Sequence, residues 1–227
     1  MRKHVVLICA ALICLSGAGT QAAEQGRTTL RELPQPTLEG DVSVAQAIAK
    51  RRSKRSFTDQ PLGLQQFAQV LWAAQGVTGQ DGRKRTAPSA GGTYPITVYA
   101  VVHADGVREL PAGLYRYVPS KHAIEKVQKN AEGLIAAAGG QKHVAQAPVV
   151  LALVADFSRI SKKYGEKGPR FAIIEAGHIG QNIYLQAEAL GLGTVTVGGF
   201  NDEGVREALG AGKGAAPLEL MPIGHPK

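Results

Sequence analysis

Cysteine is all but absent: the 227 residues include two, Cys9 and Cys14, and both fall in an N-terminal stretch that reads as a removable leader. Without that stretch the chain has no thiol, which excludes a disulfide scaffold, a cysteine nucleophile, a Cys-x-x-Cys redox pair and cysteine-ligated zinc or iron-sulfur centres. Any redox chemistry must then run through a bound cofactor. Metal-ligand spacing is missing as well. His103, His122, His143, His178 and His225 follow no His-Glu-x-x-His pattern, so no metal site is expected, and His178 reads as a core histidine in an apolar helix. No Pro/Ser-rich linker, charge block or internal repeat divides the chain, which makes one domain the economical reading. The formal charge of +8 favours anionic ligands such as a phosphorylated cofactor. No basic stripe interleaved with aromatics accompanies it, so no nucleic-acid partner is expected.

Arg2 and Lys3 precede an apolar run from Val5 to Leu15 that ends in small residues and Thr20-Gln21-Ala22. That order is a secretory signal peptide over residues 1–22, cut after Ala22 or, alternatively, after Ala23. The run is too short to span a bilayer, so no stable membrane insertion is expected. Cys9 and Cys14 each follow an isoleucine where a lipobox needs a small residue. The leader carries no twin-arginine pair, which points to Sec-type export and a periplasmic address. An N-terminal arm over 23–42 and a single domain over 43–227 complete the expected organisation.

The arm should be extended from Glu24 to Gly40. Ser43 offers an N-cap to a helix whose Val44, Ala47 and Ile48 share one face, and Leu64 to Gln75 repeats apolar residues at helical spacing before Gly76. Ile96 to His103 and Val149 to Phe157 are β-branched runs expected as buried strands. Gly113 to Val118 and Ile124 to Val127 should be more exposed strands, and Ala131 to Ala138 helical. Pro169 to Leu192 is apolar nearly all round, which predicts a buried helix. A strand over Thr194 to Val197, a short helix from Asn201 to Gly210 and a strand over Leu218 to Ile223 follow. The order is neither regular βαβ alternation nor all-β, so the class is α+β.

Three stretches carry chemistry. In Arg51-Arg52-Ser53-Lys54-Arg55-Ser56-Phe57, guanidinium forks and a hydroxyl can hold a phosphate; the same cations can instead complement the end of a helix dipole. Ala87 to Pro95 and Gly191 to Phe200 contain the glycine pairs 91–92 and 198–199, which either bring backbone amides close to a flat ligand or serve only as turns. Gly191-Leu192-Gly193 lacks a third glycine and follows a helix, so it is not a dinucleotide fingerprint. Ser89 lies outside any Gly-x-Ser-x-Gly elbow.

In this order, together with Leu71-Trp72-Ala73-Ala74-Gln75-Gly76, Pro111 to Tyr117, Glu175-Ala176-Gly177-His178 with Gln181-Asn182, and Pro222 to Pro226, these stretches resemble the nitroreductase family, in particular its SagB-type dehydrogenase branch, which includes azoline oxidases. The resemblance spans Ser43 to Pro226. It implies an α+β fold with a central mixed sheet packed by helices and FMN at a homodimer interface. It also implies that Arg51, Arg52, Ser53 and Arg55 meet the phosphate, ribityl chain and pyrimidine edge. Pro88, Ser89, Ala90, Gly91 and Gly92 would come from the partner subunit, while Thr196, Gly198 and Gly199 would line the ring near N5. Lys163-Tyr164 resembles the base and acid pair of azoline oxidases; a solvated loop lysine and tyrosine is the plain alternative. The chain departs from many members in having Gly92 in place of an asparagine, Gly198 in place of a glutamate, and Lys227 alone as a C-terminal cation.

The implied activity is ping-pong transfer of electrons from NAD(P)H through FMN to a small conjugated acceptor, a nitroaromatic or a quinone. Export would place the protein where nicotinamide cofactors are scarce, leaving room for another donor. The alternatives are dehydrogenation of an azoline-like substrate and flavin binding without turnover.

Overall fold

In the computed structural model, which describes residues 30–127, 131 and 133–227, the two long β-branched runs form the middle of a seven-stranded sheet. The expected leader, with Cys9 and Cys14, and residues 23–29 of the expected arm lie outside the described residues. In chain order the elements are β1 (Leu30–Glu32), α1 (Val44–Lys50), α2 (Leu64–Gln75), β2 (Ile96–Val102), β3 (Gly113–Val118), β4 (Ala123–Val127), α3 (Leu134–Ala137), α4 (Lys142–Gln146), β5 (Val149–Asp156), α5 (Phe157–Tyr164), α6 (Gly168–Ala189), β6 (Gly193–Thr194), α7 (Asp202–Ala208) and β7 (Ala215–Gly224).

The strand order is β1-β4-β3-β2-β5-β7-β6, and every ladder is antiparallel. The parallel component of the expected mixed sheet is confined to isolated bridges, Ser53 with Thr194 and Leu62 with Val107. Short connections from β2 to β3 and from β3 to β4 favour this outcome, because parallel neighbours need a long crossover.

Strand β5 reads as a continuous apolar run because both its faces are covered. Leu151 and Leu153 join the layer that holds Phe67 and Leu71 of α2 and Ile179 and Ile183 of α6. Val150 and Ala152 join the layer that holds Leu134, Val205 and Leu209. Helices on both faces of one sheet thus form two apolar layers. Among the described residues no helix is long and apolar enough to cross a membrane.

Several expectations change. Ser43 caps α1 in a reciprocal box with Gln46, yet the apolar face it starts is open: Val44 is 70% and Ile48 55% exposed, and only Ala47 is buried. Helix α6 turns Ala172, Ala176, Ile179, Ile183 and Ala187 into the core, while Ile173 and Ile174 are 55% and 47% exposed and His178 is exposed too. The helix is apolar all round, but its own chain covers one side. The strands expected to be exposed bury Leu114, Tyr115, Tyr117 and Ile124. The strand expected to end at Phe157 stops one residue earlier, because Asp156 accepts the backbone N–H of Arg159 at 3.1 Å and caps α5. Lys163 and Tyr164 therefore end a helix and do not sit in a loop. The strand expected over Thr194–Val197 shrinks to β6 and one bridge from Val197 to Leu220, whereas β7 runs longer than expected.

Candidate active site

Helix α6 carries the site on two sides. On one, the Tyr184 hydroxyl accepts the backbone N–H of Thr196 at 2.8 Å and lies 3.1 Å from the Ser53 hydroxyl. The segment after α1 reaches this point because Ser53 bridges Thr194 and the Lys54 N–H donates to the Thr194 carbonyl at 2.9 Å. Arg51 lies over the Tyr184 ring, 5.1 Å from its centroid. Gly198 and Gly199 are exposed, and a Cβ at either would meet nothing within 4 Å. Gln141 holds this turn by donating to the Gly199 carbonyl at 2.9 Å. His143, two positions after Gln141, has its imidazole held below its ordinary range first by burial and then by the Arg55 charge.

Arg52 stands apart from this group. Its guanidinium folds back to donate to the carbonyls of Ala49 and Arg51, at 3.1 and 2.7 Å, so this one residue takes the helix-end role. Lys227 is tied in place, its N–H donating to the Ser56 carbonyl at 3.1 Å.

The second side holds the loop from Pro88 to Gly92. The Ser89 hydroxyl accepts the Tyr94 N–H at 2.8 Å, and Ala90–Gly92 makes a short turn. Gly91 has φ of 58°, and a Cβ there would stand 2.5 Å from Lys163 Nζ and 2.6 Å from the Tyr164 hydroxyl. Its conformation favours glycine, while the neighbours are the movable ends of two side chains. Lys163 donates to the Gly91 carbonyl at 3.2 Å, and Tyr164 packs edge-on against Phe171. The Lys163-Tyr164 pair is thus brought against the glycine loop. Beneath it runs a buried polar chain in which Arg85 donates to Gln75 at 2.7 Å and Gln75 donates to Glu175 at 3.1 Å. Burial pushes the Glu175 carboxyl up, against the pull of the Ser89 and Gln75 side chains and the Arg85 charge.

Glu175 and Tyr184 are nine positions apart on α6. At about 3.6 residues per turn and 1.5 Å per residue that is half a turn around the axis and about 13 Å along it. The group around Ser53, Thr196 and Gly198 and the group around Ser89 and Gly91 therefore face opposite sides of the helix, and one chain does not bring them together.

The motifs contained Gln75 and Glu175 without assigning them a contact, and they did not mark Arg85, Tyr184 or Glu219. Glu219 Oε2 accepts the Thr196 hydroxyl across 3.4 Å, and burial pushes the carboxyl up to about 7 against that one opposing contact. Its signal in the sequence is an acid interrupting the last apolar strand.

Residues 48–225 match the model of the nitroreductase family. A protein of Methanocaldococcus jannaschii, provisionally named a nitroreductase, is 41% identical over 86% of this chain and 96% of its own. The NAD(P)H-dependent FMN reductase of Bacillus subtilis is 28% identical over 81% of this chain and 66% of its own. A crystal structure from Ralstonia eutropha, also provisionally named a nitroreductase, superposes with a TM-score of 0.76 at 31% identity and covers 87% of this chain and 90% of that one.

The Glu219 carboxyl makes a pH prediction. Its value in the folded chain, about 7, lies above the ordinary 4.5, so the folded state binds this proton more tightly than the unfolded state. The resulting stability is complete below about 4.5 and is lost as pH rises through about 7. Urea midpoints across this window should fall more steeply for the wild type than for Glu219→Gln; parallel curves would place the carboxyl in its ordinary range.

Proposed function

Because the chain belongs to the nitroreductase family, we propose that it is an FMN-dependent oxidoreductase which passes electrons from NAD(P)H, in ping-pong order, to a small conjugated acceptor such as a nitroaromatic or a quinone. The observation that carries this reading is the convergence of Ser53, Tyr184, Thr196 and the open glycine pair Gly198–Gly199 beside the cation Arg51. Those residues fit a planar anionic ligand: the glycines leave a face on which no side chain intrudes, and the guanidinium meets negative charge.

FMN, when bound, supplies the two-electron chemistry that no side chain here can provide. Arg51 and Ser53 then take its phosphate and ribityl oxygens, and Arg55 offsets negative charge at the pyrimidine edge. Thr196, Gly198 and Gly199 line the ring, with the Gly198 N–H available to N5. Arg52 adds to the phosphate contact only by releasing the carbonyls it now caps. Pro88, Ser89, Ala90, Gly91 and Gly92 reach the same ring from a second copy of the chain, since they face away from it in their own.

Under anaerobic conditions the yellow bands of the FMN-loaded protein should bleach with NADH or NADPH. A second reading is favoured by Lys163, whose amine lies against the Gly91 carbonyl: there the flavin runs in reverse, and Lys163 as base with Tyr164 as acid dehydrogenates an azoline-like substrate. Lys163→Ala should leave nicotinamide-driven bleaching intact while abolishing any such dehydrogenation. Bands that never bleach would leave a flavin-binding protein without turnover, and a protein that takes up no FMN ends the proposal.

A homodimer follows from the same reading. Leu38, Val44 and Ile48 at α1 and Ile173 and Ile174 on α6 are exposed apolar side chains, which a second copy would cover. Light scattering should report two copies, and Ile48→Glu with Ile173→Glu should give a monomer that has lost its FMN. A wild-type monomer that holds FMN would overturn this part.

The third element is export. Protein recovered from the periplasm should begin at Ala23 or Glu24, and an intact N-terminus found only in the cytoplasm would remove the leader from the account.

A further inference from the structure

Strand β7 is apolar except for one acid. Leu220 and Met221 beside it are fully buried, and strand alternation turns Leu220 to the layer of α7 and Glu219 to the layer of α6. There the carboxyl occupies the space left by Gly180, since a Cβ at Gly180 would stand 2.7 Å from Glu219 Oε2. Across the sheet it pairs with Leu153 of β5, a buried apolar residue. A carboxylate in such surroundings ordinarily has a cation beside it. Here the titration is governed by burial and by the Thr196 hydroxyl, and no charged side chain among the described residues contributes. The facing groups are Gly180 and Tyr184 from α6, Leu153 from β5 and Thr196 from the loop after β6. Arg51 is the cation on this side, and it is held over the Tyr184 ring.

Thr196 itself is exposed. Its N–H is fixed by the Tyr184 hydroxyl, which also meets Ser53, so its own hydroxyl stands between the half-buried acid and the open face formed by Gly198 and Gly199. A half-buried acid one hydroxyl away from a proposed reaction surface is placed to serve as a proton source.

We propose that Glu219 is the proton store of this site: it passes its proton to the Thr196 hydroxyl as that hydroxyl passes its own to the acceptor. The inference rests on the flavin reading above. An acceptor such as a quinone is reduced by two electrons and gains two protons. The electrons and one proton arrive together as a hydride from the reduced cofactor, which is thereby oxidised. The second proton breaks from the Thr196 oxygen and bonds to the acceptor, Glu219 reprotonates Thr196 and becomes a carboxylate, and a proton from water then restores the acid. Glu219 acts through Thr196 and touches neither cofactor nor acceptor, so it positions and stores the proton and is not itself a catalytic residue.

The test is the midpoint potential of the bound FMN, followed spectroscopically from pH 5.5 to 9 in the wild type and in Glu219→Gln. Negative charge arriving on the reduced cofactor raises the proton affinity of the carboxyl beneath it. Above about pH 7, where Glu219 is ionised in the oxidised protein, reduction should therefore draw in one further proton. The wild-type potential should steepen by about 30 mV per pH unit, the value for one proton per two electrons, and Glu219→Gln should not. FMN bound in both proteins with identical slopes overturns the proposal while leaving the cofactor reading intact; no FMN bound by the wild type overturns both. Should the Gln variant fail to fold, Thr196→Val carries the test. It keeps the carboxyl but removes the relay, so the step near pH 7 in the rate of acceptor reduction should vanish, and a rate profile that keeps this step sinks the proposal.

Discussion

The close approach of α6 to the sheet is the constraint on which the other features depend. It is possible because the inward face of the helix alternates small residues with two isoleucines: Gly168, Ala172, Ala176, Gly180 and Ala187 are buried around Ile179 and Ile183. At Gly168 a Cβ would press within 2.6 Å of the Ser161 hydroxyl, which fixes how tightly α5 lies against α6. Closely packed interiors respond to single methyl groups, so this spine sets the positions of everything attached to it. Asn182 extends the attachment by donating to the carbonyls of Ala73 and Thr86, each at 3.2 Å, which ties α6 to the end of α2 and to the start of the glycine loop.

The polar groups beneath the site divide the work between rigidity and proton chemistry. On the Ser89 side, the chain from Arg85 through Gln75 to Glu175 is a connected network, with Arg85 also stacked over Tyr94 at 4.2 Å. Such networks hold a backbone in one arrangement because each member is costly to leave unpaired. On the Thr196 side the half-buried acid has a single long contact and, among the described residues, no ion pair of its own. The first arrangement is suited to holding a loop and the second to gaining and losing a proton.

Periodicity made the architecture legible. The helices α2 and α6 and the central strands β2 and β5 stand where their apolar spacing puts them, because that spacing reports which side chains leave water. It does not tell an apolar face packed in the core from one left open, and this is why the outer face of α6, with Ile173 and Ile174, read as core. Helix α5 was hidden for a local reason: Asp156 both ends a β-branched run and caps the helix, and the strand pattern masks the cap. In the site, the arginine cluster was visible but its division was not. Arg51 turns to Tyr184 while Arg52 turns back to the carbonyls of α1, a difference set by which partners lie within reach. Glu219 escaped notice because the space its carboxyl occupies depends on a missing side chain at Gly180, 39 positions earlier.

The opposed placement of the two residue groups on α6 also bears on inheritance. Where two copies associate and each pocket takes one group from either copy, a lesion around Ser53 and a lesion around Gly91 lie on different halves of the same pocket. Chains carrying one lesion each can then pair to leave one pocket whole and load both defects on the other. Such alleles complement each other, whereas a pair of identical defective chains has no intact pocket at all.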